Sequence, residues 1–158
     1  MNYSCHWQQI GCEFGTDKAN AHTYMPVYER FLGPMASDKV NLLEIGILNG
    51  NSLRMWLKLF PNGHIYALDY QPSPITDPRL TTFIGYQQDP NIASLFEPES
   101  LDVIIDDGGH YRWLQRDSVQ ILWPALMVGG LYFIEDILTD DYPNEVALWR
   151  EDPDCVFT

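Results

Sequence analysis

Two clusters of acids are the residues in this sequence best placed to do chemistry. Asp106-Asp107-Gly108-Gly109-His110 follows one apolar run, and Glu135-Asp136 closes the next. Carboxylates brought together without a counter-charge raise one another's proton affinity and weaken a fold, a conflict that a divalent cation removes. All-oxygen ligation favours a hard ion, and Mg²⁺, with waters and substrate oxygens completing its octahedron, fits that donor set best. Asp107, Glu135 and Asp136 are the expected ligands, whereas Asp106 is expected to face a helix terminus or the loop after the first strand. His110 follows Asp107 closely on a two-glycine turn, within reach of the proton of a metal-bound hydroxyl. His110 and Asp107 are therefore the catalytic candidates. The competing reading makes one or two of these acids helix caps or solvent-facing residues, and His110 a structural residue near a helix start.

A second constellation points to a nucleoside. Glu44-Ile-Gly46-Ile-Leu-Asn-Gly50-Asn-Ser52 reads as a strand end, a glycine turn and a helix start, with Gly46 and Gly50 letting backbone approach a ligand. Asp69 closes the next apolar run, where a carboxylate can accept from both ribose hydroxyls. Gln88 and Asp89 follow the third run; Asp89 either accepts from an exocyclic amine on the base or, standing before Pro90, initiates a turn. The candidate cofactor residues are thus Glu44, Gly46, Gly50, Ser52, Asp69, Gln88, Asp89 and Asp106. The turn lacks the third glycine of a GxGxxG dinucleotide fingerprint, which argues against an NAD-dependent oxidoreductase.

The elements that must position these residues alternate along the chain. Short apolar runs occur at 42–46, 65–69, 82–85, 101–106 and 131–135, each nearly continuous in hydrophobicity, as strands are when helices cover both faces of a parallel sheet. Helical spacing is visible at Tyr24 to Leu32, Ser52 to Phe60, weakly at Asn91 to Phe96, and at Tyr111 to Met127, where Pro124 breaks the last turn and Gly129-Gly130 ends the segment. This order predicts an α/β fold with a doubly wound, mostly parallel sheet and ligands bound outside the carboxyl ends of its strands. Nearly every predicted strand ends in an acid or a glycine turn.

At 158 residues the chain holds about one domain, with a cap segment over 1–36 and a sheet core over 40–136. Composition, 46% hydrophobic and 20% charged, is that of an ordinary globular protein. The net charge of −13 repels phosphate backbones and anionic membranes, so no nucleic-acid or membrane partner is expected. Cys5, Cys12 and Cys155 read as free thiols, and the N-terminus lacks a signal-like apolar run, so a cytoplasmic location is expected.

The glycine turn with Asp69 resembles the S-adenosylmethionine site of class I methyltransferases. Gly15-Thr16-Asp17-Lys18, His22-x-Tyr24, Ile105-Asp106-Asp107-Gly-Gly-His110 and Gly129-Gly130-Leu-Tyr-Phe-Ile-Glu135-Asp136 resemble, more narrowly, the metal-dependent O-methyltransferases of macrolide sugars. They are also similar to the cephalosporin hydroxylase-like branch. The resemblance implies that Glu44, Gly46, Asp69 and Asp89 hold S-adenosylmethionine, that Asp107, Glu135 and Asp136 hold Mg²⁺, and that His110 is the base on a hydroxyl of a sugar or polyketide natural product. It also implies a Gly-Thr-Asp-Lys segment lying across the cofactor mouth. Such domains usually continue with a further helix and an antiparallel strand pair, for which the 22 residues after Asp136 are too few, so truncated C-terminal strands and possible homo-oligomer formation are expected. Asp141 to Trp149 is expected to be helical and Cys155 to Phe157 a strand fragment. A cofactor-binding scaffold without turnover is the non-enzymatic alternative.

Overall fold

The computed structural model describes residues 6–137. Cys5, Cys155 and the helix and strand expected after Asp141 lie outside them. The five apolar runs form β1 (Asn41–Ile45), β2 (His64–Asp69), β3 (Leu80–Ile84), β4 (Leu101–Asp106) and β5 (Leu126–Ile134). All pair in parallel, in the order β3-β2-β1-β4-β5. The order reverses between β1 and β4, so the crevice above their carboxyl ends is the place for a ligand.

Helices cover both faces. α1 (His6–Phe14), α2 (Asp17–Asn20), α3 (Met25–Leu32) and α4 (Asn51–Leu59) belong to one side, and α5 (Arg112–Leu122) to the other. On the first side, Met25, Tyr28, Leu53, Trp56 and Phe60 cluster with Leu42, Ile65, Val103 and Ile105 of the strands. On the second, Leu43, Ile45 and Ile104 pack with Leu122 and Ala125. Both faces of the central strands are thus buried, which is why their sequences read as unbroken apolar runs rather than alternating ones.

The structure departs from the sequence reading in three places. α1 was not visible in its polar sequence, of which only Trp7, Ile10 and Gly11 are buried. The segment after β3 forms a 3₁₀ turn, Pro90–Leu95, rather than an α-helix. α5 stops at Leu122, a 3₁₀ turn at Trp123–Ala125 contains Pro124, and β5 then begins at Leu126, so Gly129 and Gly130 lie inside a strand instead of ending a helix. Proline removes the helical hydrogen bond at that point. The glycine pair is accommodated by a register shift between β4 and β5, with Gly129 at a φ of +81°.

Register decides the site. Ile45 pairs with Asp106, and Asp106 with Ile134, so the ends of β1, β4 and β5 are level. Backbone pairing continues one step beyond, from Asp107 N to Ile45 O at 3.0 Å and from Glu135 N to Asp106 O at 2.9 Å. Side chains along a strand alternate between faces. Glu44, Asp107 and Glu135 therefore continue the rows of Leu42, Ile105 and Phe133 on the α1–α4 side, whereas Asp106 turns to α5.

Candidate active site

A cavity of about 700 Å³ opens above the carboxyl ends of β1, β2 and β4. Gly46, Ser52, Asp69, Gln88, Asp107, His110 and Asp136 all lie in its wall, which brings the glycine turn, the acid after β2 and the two acid clusters to one space. Glu44, Gly50, Asp89, Asp106 and Glu135 are not in the wall; each is held behind it by bonds of its own.

Gly46 needs to be glycine. Its φ is +90°, and a Cβ there would overlap the backbone carbonyl of Asp107. The first turn and the fourth are thus in backbone contact. Asp69 stabilises the same turn, because its carboxylate accepts from Ile47 N at 2.7 Å and from Gln71 N at 2.8 Å. Those two bonds leave acceptor capacity for hydroxyls brought into the cavity. Exposed Tyr70 and Tyr86 stand beside it with parallel rings, centroids 6.4 Å apart. The Gly15 to Asp17 segment also lines the cavity and is tied across to α4, with Asn51 donating to Gly15 O at 3.1 Å.

Behind the wall, Asp89 caps the 3₁₀ turn by accepting from Asn91 N at 2.9 Å and Asn91 Nδ2 at 2.8 Å, the turn-forming reading of an Asp before Pro. Gly50 enters α4 at a φ of +74° with Ile75 and Pro74 packed against it. Asp106 is fully buried and accepts from Ser118 Oγ and, at 3.2 Å, from Gln87 Nε2. Gln87 in turn accepts from Gly109 N at 2.5 Å, which fixes the two-glycine turn carrying His110. The sequence places Gln87 with Gln88 and Asp89 among the residues after the third apolar run, where chemistry is to be sought, but gives it no role of its own.

Burial pushes the Asp106 carboxyl up to about 7, against the opposing bonds from Ser118, Gly108 and Gln87. The folded state then binds this proton more tightly than the unfolded chain, so stability from Asp106 is full below about pH 4 and falls as pH rises toward 7. Asp106→Asn, which keeps an acceptor for Ser118, is expected to flatten that part of the stability curve. Urea midpoints of the two proteins at pH 5, 6 and 7.5 check this, and parallel curves would contradict it.

The acids converge. Asp107, His110 and Asp136 each present a donor atom, all within 4.8 Å of one another. His110 Nε2 lies 3.7 Å from Asp136 Oδ2, while its Nδ1 is buried with no hydrogen-bond partner among the described residues. Asp136 adopts a left-handed φ of +52°, accepts from Tyr24 Oη at 2.6 Å and has His22, stacked on Tyr24, 3.9 Å away. Glu135 is buried and accepts from the Tyr28 hydroxyl.

Sequence reasoning did not assign Lys18 a role, and it is the residue that joins this cluster. Fully buried, its Nζ contacts Asp107, lies 2.8 Å from Glu135 Oε1 and 3.5 Å from Glu44 Oε1. Burial disfavours its charge, but Glu44, Glu135 and Asp107 outweigh that and hold its pKa above the ordinary lysine value. Glu44 also accepts from Ser52 Oγ at 2.8 Å and Trp56 Nε1 at 3.1 Å, which makes it a buried strut between β1 and α4. Burial raises the pKa of Asp107, and pushes that of Glu135 up to about 8, in spite of Lys18. Carboxylates that remain proton-hungry beside one ammonium are a donor set suited to a further, divalent charge.

No protein-family model matches the chain. It is 35% identical over 155 residues to 8-demethyl-8-alpha-L-rhamnosyl tetracenomycin-C 2'-O-methyltransferase of Streptomyces olivaceus, covering 90% of this chain and 40% of that protein. It is 38% identical over 135 residues to demethylmacrocin O-methyltransferase of Streptomyces fradiae, covering 78% of this chain and 34% of that protein. Among solved structures, MycE methyltransferase from the mycinamycin biosynthetic pathway, in complex with Mg and SAH, superimposes with a TM-score of 0.80 at 30% identity, over 91% of this chain and 43% of its own. The chain therefore spans about two fifths or less of the length of these curated relatives. Among the described residues no helix is long and apolar enough to cross a membrane.

Proposed function

We propose that this homologue of the macrolide- and polyketide-sugar O-methyltransferases, which has the class I methyltransferase fold, binds S-adenosylmethionine and Mg²⁺ and methylates a hydroxyl of a small glycosylated acceptor. The observation that carries this reading is the meeting of Gly46, Asp69, Asp107, His110 and Asp136 in the wall of one cavity. Nucleoside-type and metal-type residues then serve the same reaction space.

Asp107 and Asp136, with Glu135 beside them, would hold the ion, and Gly46, Ser52, Asp69 and Gln88 would hold the cofactor. When bound, Mg²⁺ supplies Lewis acidity to an acceptor hydroxyl and S-adenosylmethionine supplies the electrophilic methyl group. The chain's own residues do the rest. Asp69 fixes the ribose by accepting from its hydroxyls. His110, about two-fifths exposed, is placed to take the hydroxyl proton, leaving the electron pair on the oxygen that receives the methyl group. Its neighbour Asp136 stabilises the imidazolium formed by that transfer. Tyr24 and Tyr28 keep Asp136 and Glu135 in place by donating to them.

Leu48, Tyr111 and Trp113 are exposed and line the same cavity. An exposed aromatic face beside the base suits the C–H face of a sugar ring. Trp113→Ala is expected to raise KM for a glycosylated acceptor about tenfold with little change in kcat, a split that steady-state kinetics reads directly. An unchanged KM would remove Trp113 from the acceptor site.

Transfer of radiolabelled methyl from S-adenosylmethionine to a panel of deoxysugar glycosides, with MgCl₂ and with EDTA, tests the reading. Labelled methyl ether formed only with the metal supports it. Cofactor binding without transfer to any acceptor would instead make the chain a binding scaffold.

A further inference from the structure

Lysine is almost never fully buried unless it is paired. Lys18 is fully buried, on a four-residue helix, and its ammonium lies among Asp107, Glu135 and Glu44. Asp107 is a ligand in the Mg²⁺ reading above, on which this inference rests, and Glu135 stands beside that ligand set. Neutral donors hold two of the ammonium's partners, Tyr28 on Glu135 and Ser52 and Trp56 on Glu44, while Asp107 has the further acids Asp17 and Asp136 near it. One positive charge is therefore already present where the carboxylates meet.

We propose that Lys18 is a built-in counter-ion of the metal site, which keeps the acid cluster folded in the absence of metal and opposes the divalent ion when it binds. Buried Glu44 and Glu135 and the part-exposed Asp107 would otherwise meet with no cation, and removing one partner of such an arrangement leaves uncompensated charge in a medium that solvates it poorly. With Lys18 in place the strands can close before any metal arrives. The same charge, touching Asp107 and Glu135, repels Mg²⁺ and takes up acceptor capacity on both side chains. Lys18 is a positioning residue in this account, since it acts on the ion through the ligands.

Titrating MgCl₂ into the wild type and into Lys18→Met by calorimetry tests this. Loss of a unit charge a few ångströms from a divalent ion is expected to tighten binding at least about tenfold. The melting temperature of Lys18→Met is expected to be lower than wild type without MgCl₂ and to rise much more steeply with it. Should Lys18→Met fail to fold, the same comparison between Glu44→Gln and Lys18→Met/Glu44→Gln keeps the test open, because the double variant removes one positive and one negative charge together. A wild type that binds Mg²⁺ as tightly as Lys18→Met, or more tightly, would overturn the role of Lys18 alone. Absence of Mg²⁺ binding in every variant would overturn the metal reading and this inference with it.

Discussion

His110→Ala is expected to lower methyl transfer by about 10²–10⁴ while leaving the melting temperature and cofactor affinity unchanged, the range that loss of a general base commonly produces. The side chain is about two-fifths exposed and, among the described residues, its polar contact is the 3.7 Å approach to Asp136, so little of the fold depends on it. The turn that carries it is held independently by Gln87 on Gly109 N. Because His110 also belongs to the donor trio, a drop in turnover with cofactor and Mg²⁺ binding both intact isolates proton transfer. Turnover within twofold of wild type would transfer the base role to another group, and His22, 3.9 Å from Asp136, would be the next to examine.

Asp107→Asn is expected to have a comparable effect by a different route. Asp107 is the one residue shared by the donor trio and the Lys18 contacts. The isosteric amide removes an anionic ligand but leaves an oxygen toward Lys18, which keeps Glu135 and Glu44. The fold should survive. Loss of an outer-shell partner commonly costs 10–100-fold in metal affinity, so loss of a ligand charge is expected to weaken Mg²⁺ binding by about 100-fold or more. At limiting Mg²⁺ the methyl-transfer rate should fall in proportion and recover in part as MgCl₂ is raised; EDTA should abolish it in both proteins. A variant with wild-type Mg²⁺ dependence would show that Asp107 is not a ligand.

Much of the frame was legible in the residues. Runs such as Leu101-Asp102-Val103-Ile104-Ile105-Asp106 announce a strand buried on both faces, and the level register of β1, β4 and β5 follows once those strands are neighbours. Period-two alternation also separates Asp106 from Asp107, one toward Ser118 and the other toward Lys18. What was not legible depended on long-range contact. The conflict among buried acids was visible, and a divalent ion is one answer to it; the chain supplies another in Lys18, 89 positions from Asp107. The resemblance lays Gly15-Thr16-Asp17-Lys18 across the cofactor mouth, but a lysine in a short polar stretch still reads as a surface residue, because nothing local shows which acids its ammonium meets. Glu44 is assigned to the cofactor by the resemblance, and its bonds to Trp56 and Ser52 on α4 were not legible either, because they too are tertiary contacts. Asp89 and β5 were decided by proline, through the cap on the 3₁₀ turn at Pro90 and the helix stop at Pro124.

The central claim is that side chains from the ends of β4 and β5 share one divalent ion beside the nucleoside cavity. Crystals soaked with S-adenosylhomocysteine and MnCl₂, with data collected at the manganese absorption edge, test it without reference to turnover. The account predicts a single anomalous peak within coordination distance of carboxylate oxygens of both Asp107 and Asp136, next to nucleoside density over Gly46 and Asp69. Nucleoside density with no peak at those acids, or a peak that touches neither of them, would contradict it.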